Sequence, residues 1–168
     1  MLAETMVAQN IVFGILAVTM VAAAFRLVTT QNVVRAALFL AIVLAGAAAL
    51  YILLAAEFVA WVQVLVYIGA VVVLLLFGVM LTRAPIGRES DLDNDQRWLA
   101  ALVALFLLGA LGAVLADAFG DDKIGNITIR RTAEVSDSIF GAYVVPFEVA
   151  SVLLLAALVG AVALARRD

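Results

Sequence analysis

Residues 36–81 form one long apolar stretch, AALFLAIVLAGAAALYILLAAEFVAWVQVLVYIGAVVVLLLFGVML, in which Glu57 is the only charged residue. As a single helix it would extend about 70 Å at 1.5 Å per residue, more than twice the roughly 30 Å of hydrocarbon in a bilayer. The stretch must therefore fold back on itself. The charge at Glu57 predicts two membrane-spanning helices, 36–55 and 58–81, joined by a tight turn at residues 55–58.

Three further apolar runs, at residues 11–28, 99–116 and 143–165, are each long enough to cross a bilayer. Polar, charged segments separate the apolar runs. In the segment before the last run, apolar and polar residues alternate over residues 124–129, which predicts a short strand. Of the 168 residues, 67% are hydrophobic and 14% charged, whereas soluble domains are about half apolar and about a quarter charged. The sequence predicts an all-α polytopic integral membrane protein with about five transmembrane helices, forming one membrane domain over residues 1–168.

The composition also excludes several kinds of site. The chain contains no cysteine and no histidine, which removes disulfides, thiolate ligands and imidazole bases. It carries no glycine-rich phosphate loop and no block of basic residues, so neither nucleotide nor nucleic acid is an expected partner. Any proton chemistry must therefore use carboxylates, tyrosine, lysine or water, and no metal site or catalytic residue is predicted.

The orientation in the membrane follows from the distribution of basic residues. With the N-terminus outside, seven basic residues lie in inward segments: Arg26, Arg35, Arg83, Arg88, Arg97, Arg166 and Arg167. Three lie in outward segments: Lys123, Arg130 and Arg131. Because cytoplasmic segments are enriched in Lys and Arg, this bias predicts an outer N-terminus and a cytoplasmic C-terminus.

Two carboxylates lie in apolar surroundings, one at the start of the third span and one inside the fifth. Glu57 enters the third span from the predicted outer face, where it is either an interfacial charge satisfied by water or part of a proton or hydration path. Glu148 lies inside the fifth span, about 8 Å below the surface at 1.5 Å per residue. An isolated acid in an apolar helix favours a functional or assembly role over an incidental interfacial position.

Tyr67 and Gly69 lie deeper in the third span. Tyr67 is ten residues beyond Glu57, about 15 Å along a helix and so near the middle of the bilayer, where its hydroxyl needs a hydrogen-bond partner. Gly69 permits close helix packing, which the residues alone favour. The alternative is a π-bulge at which the helix loosens and rotates its downstream face.

The third span carries a recognisable pattern. Residues 56–77, AEFVAWVQVLVYIGAVVVLLLF, resemble the third helix of the J subunit family of respiratory complex I, which corresponds to mitochondrial NADH dehydrogenase subunit 6. Residues 143–161, YVVPFEVASVLLLAALVGA, are similar to the fifth helix of that family. Five spans, an outer N-terminus and the chain length also agree, while the connector at 117–138 matches least.

The resemblance implies a role in a proton-pumping NADH–quinone oxidoreductase of the bacterial inner membrane. It places the chain in the membrane arm near the quinone site, in contact with subunits A, H and K and with N close by. FMN, iron–sulfur clusters and quinone are expected in other subunits, and this chain supplies no redox centre. The resemblance also implies that the third helix, around Tyr67 and Gly69, switches between α-helical and π-bulged forms and so controls a hydrated route. The residues themselves add Glu57 and Glu148 as candidate proton-path or coupling residues.

Two other functions fit parts of this pattern. A stand-alone secondary transporter would use Glu57 and Glu148 as its proton-coupling pair, but the sequence shows no convincing internal repeat of the kind common in transporters. A scaffold subunit of a membrane hydrogenase or of a quinone reductase with another electron donor is the second alternative. The subunits that copurify with the chain distinguish the three hypotheses.

Overall fold

The computed structural model describes residues 2–82, 96–120 and 131–166. The helices in this part of the chain are α1 Leu2–Thr29, α2 Val33–Leu53, α3 Glu57–Leu81, α4 Arg97–Phe119, α5 Thr132–Phe140 and α6 Val144–Ala165. The described residues contain no strand, which confirms the all-α prediction. The strand predicted at 124–129 lies outside the described residues.

Five of these helices are long and apolar enough to cross a bilayer, as predicted. Their apolar spans are Val7–Thr29, Val33–Leu53, Glu57–Leu81, Trp98–Phe119 and Val144–Ala165. The sixth helix, α5, was not predicted, because its sequence TAEVSDSIF is rich in polar residues of modest helix propensity. Helix α5 is held against α6 by an aromatic contact. The Phe140 ring at the end of α5 meets the Phe147 ring of α6 edge-on, with ring centroids 5.1 Å apart.

The turn between α2 and α3 occupies residues 54–56, overlapping the predicted turn, although Glu57 and Phe58 are already helical. Ala55 adopts a left-handed conformation with φ of 57°. Its N–H donates to the Ile52 carbonyl (2.9 Å), and the N–H of Ala56 donates to the Tyr51 carbonyl (2.8 Å). This pair of bonds is a Schellman motif, in which alanine takes the position usually held by glycine.

Helices α1, α2 and α3 form the packed part of the structure. Their contacts rest on small side chains, and the most buried apolar residues are Ala23, Ala37, Ala48, Ala60 and Val72. At Gly46 of α2, a Cβ would overlap the side chain of Met20 on α1. Small residues allow such close approach between membrane helices, so the α1–α2 contact depends on them.

The last two spans lie apart from this three-helix unit. Within the described part of the chain, α4 contacts no other helix, and α6 contacts only α5. All their described side chains are exposed except Val144 and Gly160, which are half-buried. A Cβ at Gly109, Gly112 or Gly160 would meet nothing within 4 Å. Their small-residue faces therefore have no partner among the residues that the structure describes.

Candidate functional site

The backbone of α3 changes its hydrogen-bonding pattern in the middle of the helix. It is α-helical over Glu57–Val62 and Val73–Leu81, and π-helical over the ten residues Gln63–Val72, which we call the π segment. The prediction that this helix is π-bulged is confirmed. Most π-helices are single-turn bulges, often at functional sites, so ten residues is a long example. Five of the ten are β-branched, a residue class that weakens the preference for the α form.

Gly69 lies inside the π segment. A Cβ at this position would be 3.4 Å from the Val64 carbonyl oxygen, an ordinary contact distance. No other helix of the described chain approaches it within 4 Å, and the residue is exposed. Among the described residues, the packing interpretation of Gly69 therefore finds no partner on another helix.

Glu57 and Tyr67 occupy different levels of α3. Glu57 is its first residue and is exposed. Tyr67 lies in the π segment with 48% of its surface exposed, so its phenol is accessible to a group outside the chain. The two residues share a helix and are ten positions apart along it.

Gln63 is the polar residue that the sequence analysis did not select. It begins the π segment and is only 8% exposed, and it is the only buried polar side chain among the residues described. The π segment, which begins at Gln63, packs against α2. A buried amide is costly without a hydrogen bond. The sequence did contain a signal for this site, because Gln63 is the only amide side chain in the apolar span 58–81.

The structure does not bring Glu148 together with the sites on α3. Glu148 lies in the second turn of α6 and is exposed, and α6 contacts only α5 among the helices described. The site residues selected from the sequence thus form one group on α3 (Glu57, Tyr67 and Gly69) and a separate acid on α6. A direct proton path between the groups would need other subunits or water.

The sequence between residues 23 and 164 matches the family model for NADH-ubiquinone/plastoquinone oxidoreductase chain 6. The chain belongs to this family. The matched region runs from the last two turns of α1 to the end of α6 and includes the whole π segment. Membership confirms the resemblance seen in the third and fifth spans. It makes the chain a multi-pass membrane subunit of a complex I-type quinone oxidoreductase, with other membrane subunits of that complex as partners.

Individual relatives span several kinds of organism. The chain is 41% identical over 165 residues to an NAD(P)H-quinone oxidoreductase chain 6 of Synechocystis sp., with 95% of this chain and 82% of the relative covered. It is 42% identical over 168 residues to an F(420)H(2) dehydrogenase subunit J of Methanosarcina mazei, covering 95% and 92%. A chloroplastic NAD(P)H-quinone oxidoreductase subunit 6 of Mesostigma viride is 33% identical, covering 95% and 85%. The family is thus found in complexes whose names differ in electron donor.

Proposed function

We propose that this chain, as a single membrane domain over residues 1–168, couples quinone reduction to proton translocation in an NADH–quinone oxidoreductase. It is a non-redox subunit of that translocase and has no activity alone. The observation that carries the proposal is the π segment in the middle of α3. Membership of the chain 6 family indicates the enzyme complex to which the chain belongs. The π segment is the structural feature through which we propose that the chain takes part in coupling.

The π segment is suited to a conformational switch. Shifting a helix from i→i+5 to i→i+4 bonding changes the register by one residue, and at 3.6 residues per turn this rotates the downstream helix by about 100°. Such a rotation moves Phe77 and its neighbours relative to Glu57 without unfolding the helix. We propose that this motion opens and closes a hydrated route, with Glu57, Tyr67, Gly69 and Glu148 as its coupling residues.

The chemistry of the chain supports a role in coupling and not in electron transfer. It contains neither cysteine nor histidine, the residues that hold iron–sulfur clusters and most haem groups. FMN, iron–sulfur clusters and the quinone site belong, in this proposal, to other subunits. The groups left to this chain are carboxylates, a phenol and a buried amide, which hold or orient water and protons.

The exposed last two spans support incorporation in a larger assembly. Small-residue faces on α4 and α6 have no partner within the described chain, and a stand-alone transporter would need its helices to enclose a path. We propose that membrane subunits A, H and K contact this chain, with N close by. The proposed location is the bacterial inner membrane, with the N-terminus outside and the C-terminus in the cytoplasm.

A second electron donor deserves a test because one relative is a subunit of an F(420)H(2) dehydrogenase at 42% identity. The coupling role in the membrane is the same in this alternative, and only the donor-oxidising subunits differ. Purification of the complex through a tag on this chain, followed by mass spectrometry, identifies those subunits. A complex with an NADH-oxidising module supports our proposal, whereas one that oxidises reduced F420 supports the alternative.

The coupling role is tested by removing one residue of the π segment. Deleting Ile68 removes one surplus residue from the i→i+5 run, leaving the helix closer to a continuous α form. In proteoliposomes containing the assembled complex, we expect proton translocation per quinone reduced to fall, while electron transfer from NADH to an artificial acceptor is unchanged. An assembled deletion variant that translocates protons with wild-type stoichiometry would refute the role of the π segment.

A further inference from the structure

The connection between α1 and α2 borders an open surface cavity of about 550 Å³ that the coupling role does not use. It is lined by Arg26, Thr29, Thr30, Gln31, Asn32, Arg35 and Phe39. The flanking spans end at Thr29 and begin at Val33, so the cavity lies where hydrocarbon gives way to the headgroup region. Along α2, the lining is polar and basic at the amino end of the helix (Asn32 and Arg35) and aromatic about one turn further on (Phe39).

The cavity is electropositive. Arg26 lies in the last turn of α1 and Arg35 in the first turn of α2, and both are exposed. None of the described residues that line the cavity is acidic. The amino end of α2 adds the positive end of a helix dipole, and its first turn contains no acidic residue. The Asn32 side chain fixes this end by accepting a hydrogen bond from the Arg35 N–H (3.1 Å).

The arrangement of Arg35 and Phe39 fits an amphipathic ligand. The two residues are separated by four positions, so they lie on one face of α2 with Phe39 about 6 Å deeper in the membrane. A guanidinium at the level of lipid phosphates binds a phosphate through two parallel N–H bonds. The aromatic ring below it contacts apolar chains.

We propose that this cavity binds an anionic phospholipid, with Arg26 and Arg35 holding the phosphate and an acyl chain packed along Phe39. Free phosphate would satisfy the arginines and leave the aromatic end of the cavity unused. A carboxylate from a neighbouring subunit is the remaining alternative occupant. A phospholipid is favoured because the cavity lies in the headgroup region. Its basic end lies at the level of the lipid phosphate, and its aromatic end lies deeper, at the level of the acyl chains.

The test uses the assembled complex in nanodiscs made of an equimolar mixture of phosphatidylglycerol and phosphatidylcholine. The probe is a phosphatidylglycerol with a photoreactive group on one acyl chain, and labelled peptides are located by mass spectrometry. We expect labelling of residues 26–39 that falls about fivefold in Arg26→Gln or Arg35→Gln and roughly thirtyfold in the double variant, as expected for the loss of one or two basic contacts. Arg35→Lys should retain part of the labelling, because it keeps the charge.

Matched controls separate the other occupants. Arg166→Gln, which removes a basic residue at the end of α6, should leave labelling of residues 26–39 unchanged. A phosphatidylcholine probe should label these residues several-fold less than the anionic probe. Equal labelling by the two probes would reduce the site to ordinary boundary lipid, and full competition by inorganic phosphate would assign it to free anions. A third outcome combines two results: no lipid labels residues 26–39, and a chemical crosslinker joins these residues to an acidic segment of another subunit. That outcome would assign the cavity to a protein partner.

Discussion

A Cβ atom on Gly69 would lie 3.4 Å from the carbonyl oxygen of Val64, five residues earlier on the same helix. Five residues is the spacing of π-helical bonding, so the neighbour that a side chain at Gly69 would meet belongs to the π segment itself. No other helix of the described chain is within 4 Å. Substitution at this position therefore acts first on the backbone geometry of α3, unless a neighbouring subunit packs against it.

We predict that Gly69→Val yields an assembled complex in which quinone-linked turnover is slowed several-fold. A β-branched side chain limits the backbone geometries that the helix can use as it changes register. Electron transfer from NADH to an artificial acceptor should be unchanged, since that chemistry belongs to other subunits. The measurement is the ratio of quinone-linked to artificial-acceptor activity in the purified complex.

Gly78→Val is the matched control for this experiment. Gly78 lies on the same helix but in its α-helical part, and a Cβ there would meet nothing within 4 Å. The activity ratio should remain at the wild-type value in this variant. A wild-type ratio in Gly69→Val would remove the switching role, and joint loss of assembly and both activities would identify Gly69 as a packing residue.

For Glu148, we predict that Glu148→Gln impairs proton translocation or turnover while assembly is largely retained. The substitution keeps the shape of the side chain and removes its capacity to carry charge and exchange a proton. Asp117→Asn, which changes an exposed acid near the end of α4, should have little effect. Proton translocation in proteoliposomes and the amount of assembled complex are the two measurements. Loss of assembly would instead assign Glu148 to a contact between subunits.

The α1–α2 contact should be sensitive to volume at Gly46. A Cβ there overlaps Met20, whose flexible side chain can move to accommodate a single methyl group. Gly46→Leu adds far more volume and should cost about 1–3 kcal/mol by overpacking, lowering the thermal stability of the subunit. Gly14→Leu is the control, because a Cβ at Gly14 meets nothing within 4 Å. Similar losses in both variants would show that the Gly46–Met20 contact is not specific.

The predictable part of this fold is the part set by the solvent. A bilayer requires about 20 apolar residues per span, and the unbroken length of residues 36–81 was sufficient to require a turn near Glu57. The chemistry of that turn was not predictable, because Ala55 has a positive φ without glycine or asparagine to mark it. Helix α5 was missed for a related reason: its polar sequence has modest intrinsic helix propensity and it is supported by the Phe140–Phe147 contact.

The site was less accessible to sequence reasoning than the fold. Family resemblance suggested the π-bulge, whereas the residues around Gly69 alone favoured packing. Neither indicated that the π form extends from Gln63 to Val72, because a π-helix differs from an α-helix in backbone bonding and not in its apolar pattern. The burial of Gln63 was missed because it depends on the face that α3 presents to α2, which hydropathy alone does not define.

The topology can be checked independently of any activity. A reporter fused after Asp168 should be active on the cytoplasmic side, and one inserted at Lys123 should be active on the outer side. The expectation rests on the excess of basic residues in the inward segments. Reversed activities would overturn the proposed orientation, since the five spans fix the relation between the two insertion points.

At the turn between α2 and α3, the same substitution should have opposite effects on stability at two adjacent residues, Ala55 and Ala56. A non-glycine residue in the left-handed region is strained by about 1–2 kcal/mol, and glycine costs about 0.5–1 kcal/mol in conformational entropy, so Ala55→Gly should raise stability by up to about 1.5 kcal/mol. Ala55→Val should lower stability, because a branched side chain tolerates positive φ least. At Ala56, where φ is −94°, glycine relieves no strain, and Ala56→Gly should lower stability by about 0.5–1 kcal/mol. The temperature at which the complex loses this subunit on native gels gives the ranking. If Ala55→Gly and Ala56→Gly shift that temperature in the same direction, the left-handed strain at Ala55 does not limit the stability of the α2–α3 hairpin.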